Sequence, residues 1–86
     1  MIEKSLTIVN ETGIHARPAS QFVALLNGFK SSIQIIKGTR TANAKSIINV
    51  LSLALTKGTE ITIKVDGTDE QAAIESITNF IATLKD

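Results

Sequence analysis

The 86-residue chain contains no cysteine and a single histidine, and these two shortages exclude several kinds of site. Without cysteine there is neither a disulfide framework nor a thiolate ligand for a metal ion. One histidine cannot form a multi-histidine metal site. We therefore expect no bound metal and no cofactor.

The charges are nearly balanced, because nine Lys and Arg against eight Asp and Glu leave a formal net charge of +1. This balance provides no basic field of the kind that binds nucleic acid. No apolar run approaches the ~20 residues of a membrane span, and the first residues lack the apolar stretch of a signal peptide. We expect one small soluble domain over residues 1–86, located in the cytoplasm, with neither nucleic acid nor membrane as a partner.

Hydrophobic periodicity predicts the order strand, helix, strand, strand, short helix, strand, helix. The predicted strands cover residues 2–9, 32–36, 39–43 and 60–65, and the predicted helices begin near residues 16, 47 and 69. Every strand has a polar alternate face. We therefore expect helices to cover one face of the sheet and water to cover the other.

Further local predictions concern the ends of these elements. The Thr68-Asp69-Glu70-Gln71 segment is typical of a capping box, and Lys85 suits the negative end of the last helix. Lys37-Gly38 is the expected two-residue turn between the second and third strands. Gly28 is expected to end the first helix, and Lys57-Gly58 the second, which is predicted to extend to Leu55.

The stretch around the lone histidine, Gly13-Ile14-His15-Ala16-Arg17-Pro18-Ala19, is the most informative part of the chain. Pro18 is tolerated in the first turn of a helix but not inside it, so the helix is predicted to begin at His15 or Ala16. The backbone N–H groups of Ala16 and Arg17 then form a site for an anion, and the Arg17 guanidinium can bind a phosphate through two hydrogen bonds.

A neutral imidazole is a nucleophile that can carry a covalent intermediate, so His15 is the candidate acceptor of a phosphoryl group. A lone histidine at a helix start is also a common surface residue or cap, and the spacing alone leaves both interpretations open.

Ser46 precedes the second helix and is a good N-cap residue. The apolar residues of this helix point nearly all round, so we expect Ile47, Ile48 and Leu51 to be partly exposed, as in a protein-docking surface. A phosphate on Ser46 would lie favourably at the helix N-terminus and place negative charge beside these residues. A plain cap without modification is the alternative.

Together these two stretches resemble the HPr family, the histidine-containing phosphocarrier proteins of the bacterial phosphoenolpyruvate-dependent sugar phosphotransferase system. The histidine stretch is similar to the family's active-centre motif, and Asn43-Ala44-Lys45-Ser46-Ile47 is similar to its regulatory-serine motif. The resemblance extends along the whole chain. Ser20, Ile48 and Asn49 stand where many members have threonine, methionine and glycine.

The resemblance implies an α+β fold, an open-faced β-sandwich in which a four-stranded antiparallel sheet of order 1-4-2-3 is covered on one face by three helices. It implies that His15 accepts a phosphoryl group on Nδ1 from enzyme I, charged by phosphoenolpyruvate, and passes it to the IIA domain of a sugar permease. Arg17 would stabilise the phosphate. The protein would be a stoichiometric carrier rather than an enzyme, expected as a monomer, and its partners would contact Ser20, Ile47, Ile48 and Leu51.

The resemblance also implies regulation at Ser46 in low-GC Gram-positive bacteria and some others. There an ATP-dependent HPr kinase/phosphorylase modifies the serine, and the seryl-phosphorylated protein acts as corepressor for a catabolite control protein. Related regulatory proteins carry glutamine at the active-centre position, so His15 favours the carrier.

Three other functions match parts of the sequence. A stand-alone hydrolase using His15 and Arg17 lacks a second well-placed acid, and the chain leaves little room for a closed pocket. A purely regulatory protein would act through Ser46 alone, and phosphoryl uptake at His15 distinguishes the carrier from it. An RNA-binding module needs a basic face and stacking aromatics, whereas the chain's aromatics fall on the apolar stripes of predicted helices: Phe22, Phe29 and Phe80.

Overall fold

The computed structural model describes residues 1–11 and 13–84. Its elements are β1 (Ile2–Thr7), α1 (Ala16–Leu26), β2 (Ser32–Lys37), β3 (Arg40–Asn43), α2 (Ile47–Ser52), β4 (Glu60–Asp66) and α3 (Glu70–Thr83). The predicted succession of strands and helices is confirmed. Within the described ranges, no helix is both long and apolar enough to cross a membrane.

The four strands form one antiparallel sheet in the order β1-β4-β2-β3. β4 is therefore an inner strand, and its Ile63 is paired with Lys4 on one side and Ile35 on the other. β1 and β3 are the edges of the sheet. This order and the three helices confirm the open-faced β-sandwich that the family resemblance implies.

The core lies between one face of the sheet and the helices. Ile63 is fully buried on this face, whereas its neighbour Thr62 points the other way and is partly exposed. Phe22 of α1 is fully buried and packs against Phe80 of α3, with the ring centroids 5.2 Å apart. The alternation of apolar and polar residues in β4 therefore predicts the covered face correctly.

The second helix is shorter than predicted, because α2 ends at Ser52 instead of extending to Leu55. Ala54 has a φ of 52°, a left-handed conformation that does not continue a helix. Lys57-Gly58 belongs to a later turn, in which the N–H of Gly58 donates to the Ile8 carbonyl at 2.7 Å. The apolar spacing continues past the true end of the helix because the residues after it are also buried in the core.

The end of α1 also differs in detail from the prediction. α1 ends at Leu26, and its C-cap Asn27 donates a side-chain N–H to the Val23 carbonyl at 2.8 Å. Gly28 follows this cap without the left-handed conformation, which is found at Gly13, Gly38 and Gly58. Phe29 lies beyond the helix, partly buried against the core.

The capping box expected at Thr68 is not formed. Asp69 is the N-cap of α3 but makes no side-chain capping bond, because its carboxylate accepts the N–H groups of Lys30 and Ser31 at 2.7 and 2.9 Å. This carboxylate therefore joins the start of α3 to the start of β2. The role predicted for Lys85 lies outside the described residues.

The strand boundaries shift by one or two residues. β1 ends at Thr7 rather than Val9. Lys37 is paired with Arg40, so the turn between β2 and β3 consists of Gly38 and Thr39 rather than Lys37-Gly38. Gly38 has a φ of 61° at the first position of this turn, a conformation that glycine adopts readily.

Candidate functional site

The first turn of α1 has the geometry that Pro18 predicts. His15 is the N-cap, with an extended backbone (φ −104°, ψ −163°) and no side-chain capping bond. The first helical hydrogen bond runs from the N–H of Ala19 to the carbonyl of His15 at 2.8 Å. Pro18 is the third residue of the helix and is buried, and its missing N–H has no helical partner to lose there.

The same turn presents donors to the solvent. The N–H groups of Ala16 and Arg17 have no acceptor within the helix because the helix begins at these residues. The side chains of His15 and Arg17 are exposed, and neither makes a hydrogen bond or ion pair with the rest of the described chain. An imidazole ring, a guanidinium and two backbone N–H groups therefore lie together at the start of α1, a set of groups suited to binding an anion.

The loop that leads to His15 is held by the segment that follows α2. Ile14 is buried and donates its N–H to the Leu55 carbonyl at 2.8 Å. Gly13 has a φ of 67°, and a Cβ added to it would lie 2.2 Å from the Leu55 oxygen, so glycine is required for both reasons. The apolar pattern wrongly predicts that Leu55 belongs to the second helix, so the sequence gives no indication of this contact.

The short helix α2 carries the exposed apolar surface that the sequence predicts. Ile47, Ile48 and Leu51 are 40%, 80% and 39% exposed, and we refer to these three residues as the α2 patch. Val50, between them in the sequence, is fully buried and fixes the helix to the core. Ser20 on α1 is exposed as well. Apolar side chains exposed side by side are a feature of protein-docking surfaces.

The contacts at their ends show that α1 and α2 run in opposite directions. Asn27, at the end of α1, donates a side-chain N–H to the carbonyl of Lys45, just before α2. Leu55, after α2, accepts the N–H of Ile14, just before α1. The beginning of each helix therefore lies near the end of the other.

Ser46 is the N-cap of α2, as predicted, and its Oγ accepts the N–H of Asn49 at 3.4 Å. Because the two helices are antiparallel, Ser46 and His15 lie at opposite ends of the helix pair, and the α2 patch begins directly after Ser46. A charge added to Ser46 would therefore act first on the α2 patch and only at longer range on His15.

Two grooves lie elsewhere, between β1 and α3. One, of about 500 Å³, is lined by Leu6, Val9 and Ile81 among others, and its neighbour, of about 420 Å³, by Lys4 and Glu75 among others. Neither groove includes His15 or Arg17, which counts against a hydrolase that encloses its substrate at these residues. The chain's aromatics lie against the core rather than on the open sheet face, which counts against an RNA-binding sheet: Phe22, Phe29 and Phe80.

Comparison with known proteins agrees with this geometry. The family described as the PTS HPr component phosphorylation site matches residues 2–83. The phosphocarrier protein HPr of Haemophilus influenzae is 44% identical over 85 residues, which cover 99% of this chain and 100% of the relative.

Solved structures give the same result. HPr-C-His from Thermoanaerobacter tengcongensis has a TM-score of 0.93 at 37% identity, covering 96% of this chain and 93% of that one. The Bacillus subtilis catabolite repression containing protein Crh, described as a dimer with a swapped domain, has a TM-score of 0.76 at 38% identity, covering 95% of this chain and 94% of that one.

The family match, the full-length relative and the sheet order all agree with the histidine and serine motifs. The chain belongs to the HPr family and is a phosphocarrier protein of the phosphotransferase system.

Proposed function

We propose that this chain relays phosphoryl groups through His15, from enzyme I charged by phosphoenolpyruvate to the IIA domains of sugar permeases. The observation that supports this proposal most strongly is the exposed His15 ring at the start of α1, beside the N–H groups of Ala16 and Arg17 and the Arg17 guanidinium. Such a group of donors stabilises the negative charge of a phosphoryl group.

The transfer step forms one bond and breaks one. The lone pair of His15 Nδ1 attacks the phosphorus of the charged donor, and the pair of electrons in the bond from phosphorus to the donor returns to the donor. The N–H groups of Ala16 and Arg17, with the guanidinium, bind the phosphoryl oxygens through the transition state. Transfer to the IIA domain is the same step with His15 as the donor.

Docking would take place on the exposed residues of the two helices, the α2 patch and Ser20. Because His15 is exposed, water is excluded from the reacting atoms only while a partner is bound. A relay has to release its partners quickly, so we expect an interface at or below ~1,200 Å². The protein would act as a monomeric, cytoplasmic carrier that is charged and discharged stoichiometrically rather than as an enzyme.

Ser46 is the proposed regulatory site, modified by HPr kinase/phosphorylase and read by a catabolite control protein where the host is Gram-positive. Its support is its position directly before the α2 patch and the similarity of the chain to the catabolite repression containing protein Crh. A phosphate there adds a charge of about −2 beside apolar side chains, which disfavours docking on them.

The relay is tested with purified enzyme I, labelled phosphoenolpyruvate and a IIA domain. We expect the wild type and Ser46→Ala to pass label to the IIA domain and His15→Ala to pass none. The His15 side chain is exposed and makes no hydrogen bond or ion pair with the described residues, so His15→Ala should change the free energy of unfolding by no more than about 0.5 kcal/mol. Label that still reaches the IIA domain through His15→Ala would refute the proposal.

A further inference from the structure

Lys37 connects the sheet to the turn that follows α2. It continues the row of β2 residues that faces the helices, after the buried Ile33 and Ile35, and it is itself partly buried. Its ammonium group donates to the carbonyl oxygen of Leu53 at 2.8 Å and to that of Ala54 at 3.1 Å. One lysine thus binds two successive carbonyls of a single turn.

The turn that Lys37 binds has an unfavourable backbone. Ala54 has a φ of 52°, in the left-handed region that residues with a Cβ avoid. Such a conformation persists only where surrounding groups hold it. The bonds from Lys37 reach the carbonyl groups immediately before and after the Ala54 Cα, so they fix both peptide units on which this φ depends.

The next carbonyl in the chain, that of Leu55, is hydrogen-bonded to the loop that carries His15. Leu55 follows Ala54 and accepts the N–H of Ile14, the residue before His15. Gly13 lies so close to the Leu55 oxygen that no Cβ would fit between them. A movement of the turn at Ala54 would therefore move the loop from which His15 projects.

We infer that Lys37 is a positioning residue for phosphoryl transfer, because it holds the turn at Ala54 and, through Leu55 and Ile14, sets the place of His15. Lys37 belongs neither to the α2 patch nor to the donors around His15, so it acts on geometry and not on docking. The inference rests on the proposed function, since a positioning residue matters only if His15 accepts the phosphoryl group.

Three variants distinguish this positioning role from the general effect of removing one positive charge. Lys37→Met removes the ammonium group and keeps an unbranched side chain, and Lys37→Arg keeps a donor. Lys64→Met is the matched control: it removes the same charge from β4, where Lys64 lies 3.9 Å from Glu3 on the face opposite the helices.

The measurement is the rate of phosphoryl uptake from charged enzyme I as a function of carrier concentration, which gives kcat and KM. We expect Lys37→Met to lower kcat by roughly ten- to a hundredfold, which is the loss of rate caused by misplacing a reacting group by about 1 Å. KM should stay near the wild-type value, since the α2 patch is intact. Lys37→Arg should recover most of kcat, and Lys64→Met should match the wild type in both constants.

A double variant keeps the test decisive if Lys37→Met does not fold. Glycine adopts a φ of 52° without strain, so Lys37→Met/Ala54→Gly should fold and recover most of kcat. An unchanged kcat in Lys37→Met overturns the inference. An effect that is confined to KM and abolished by salt also overturns it. So does a double variant whose kcat is not recovered. If the wild type takes up no label, the proposed function itself fails.

Discussion

His15 is placed by neighbours that do not themselves react. Gly13 adopts a φ of 67° against the Leu55 carbonyl, and Pro18 occupies the first turn of the helix that follows. The ring between them is exposed and makes no bond within the described residues. Substitutions at these neighbours change the shape of the site without removing any of its reacting groups.

Gly13→Ala should destabilise the fold by about 2–5 kcal/mol, because about 1–2 kcal/mol of left-handed strain adds to about 1–3 kcal/mol of overpacking. The overpacking arises because the new Cβ would lie 2.2 Å from the Leu55 oxygen. Urea unfolding of the variant and the wild type measures the difference.

Gly38→Ala is the matched control for Gly13→Ala. Gly38 has a similar φ of 61°, but nothing lies within 4 Å of an added Cβ. It should cost only the strain, about 1–2 kcal/mol. Equal losses in the two variants would show that the contact with the Leu55 carbonyl contributes nothing.

The hydrogen bonds to the Asp69 carboxylate predict how the free energy of unfolding depends on pH. Hydrogen bonds from the Ser31 hydroxyl and the Lys30 N–H hold the pKa of Asp69 below its ordinary value of 3.8. The unfolded chain therefore binds this proton more tightly than the folded chain does. The stabilisation is complete above the ordinary pKa and is lost as the pH falls through the lower, folded value.

Urea unfolding at a series of acidic pH values tests the role of Asp69. Asp69→Asn should be less stable at neutral pH and should lose less stability on acidification than the wild type. Some acid dependence should remain, because the Gly67 N–H and the N-terminal ammonium lower the pKa of Glu70. Glu60→Gln, at an exposed carboxylate, is the control. A decline in Asp69→Asn as steep as in the wild type would contradict the assignment.

At the scale of elements, α2 differs most from an ordinary amphipathic helix. Its six residues bury Val50 and leave the three residues of the α2 patch at the surface. So short a helix gains little stability by itself and depends on its contacts with neighbouring elements. Ser46 caps its first turn, and Lys37 binds the carbonyls just after its last.

Ser46→Asp places a negative charge at the start of α2 while keeping a side chain suited to the N-cap. We expect slower uptake from enzyme I through a higher KM, with a difference that shrinks as added salt screens the charge. The free energy of unfolding should change little. Uptake is measured at low and high ionic strength.

Ser5→Asp is the matched control for Ser46→Asp. Ser5 is exposed on β1, at the edge of the sheet opposite β3, the strand that precedes α2. This variant should take up label at the wild-type rate. If both variants slow uptake equally, net charge rather than position at the α2 patch is responsible.

At the scale of the whole molecule, local patterns predict the elements but not their assembly. The alternation of apolar and polar residues in β4 and the apolar stripe around Phe22 indicate which side chains are buried, and both patterns can be seen in the sequence alone. Which strands lie side by side depends on contacts between distant segments, such as Lys4 opposite Ile63. The order β1-β4-β2-β3 was accessible only through the family resemblance.

The candidate site likewise has features that the local sequence predicts and features that depend on contacts between distant residues. A helix start at His15 or Ala16 follows from Pro18, which is local chemistry, and the structure begins the helix at Ala16 with His15 as its N-cap. The contact between Ile14 and Leu55 joins residues far apart in the chain, and no spacing indicates it. Lys37 does carry a signal, a charged residue in the apolar row of β2, but its partners become visible only in the fold.

The central claim is that the exposed His15 ring accepts the phosphoryl group, and peptide mapping of the charged wild-type protein tests it most directly. The protein is charged with enzyme I and phosphoenolpyruvate, digested at alkaline pH and analysed by mass spectrometry before and after exposure to acid. We predict a single phosphoryl group on the peptide that contains His15, lost in acid because a phosphorus–nitrogen bond carries it. An acid-stable phosphate, or one located on any other peptide, would contradict the account.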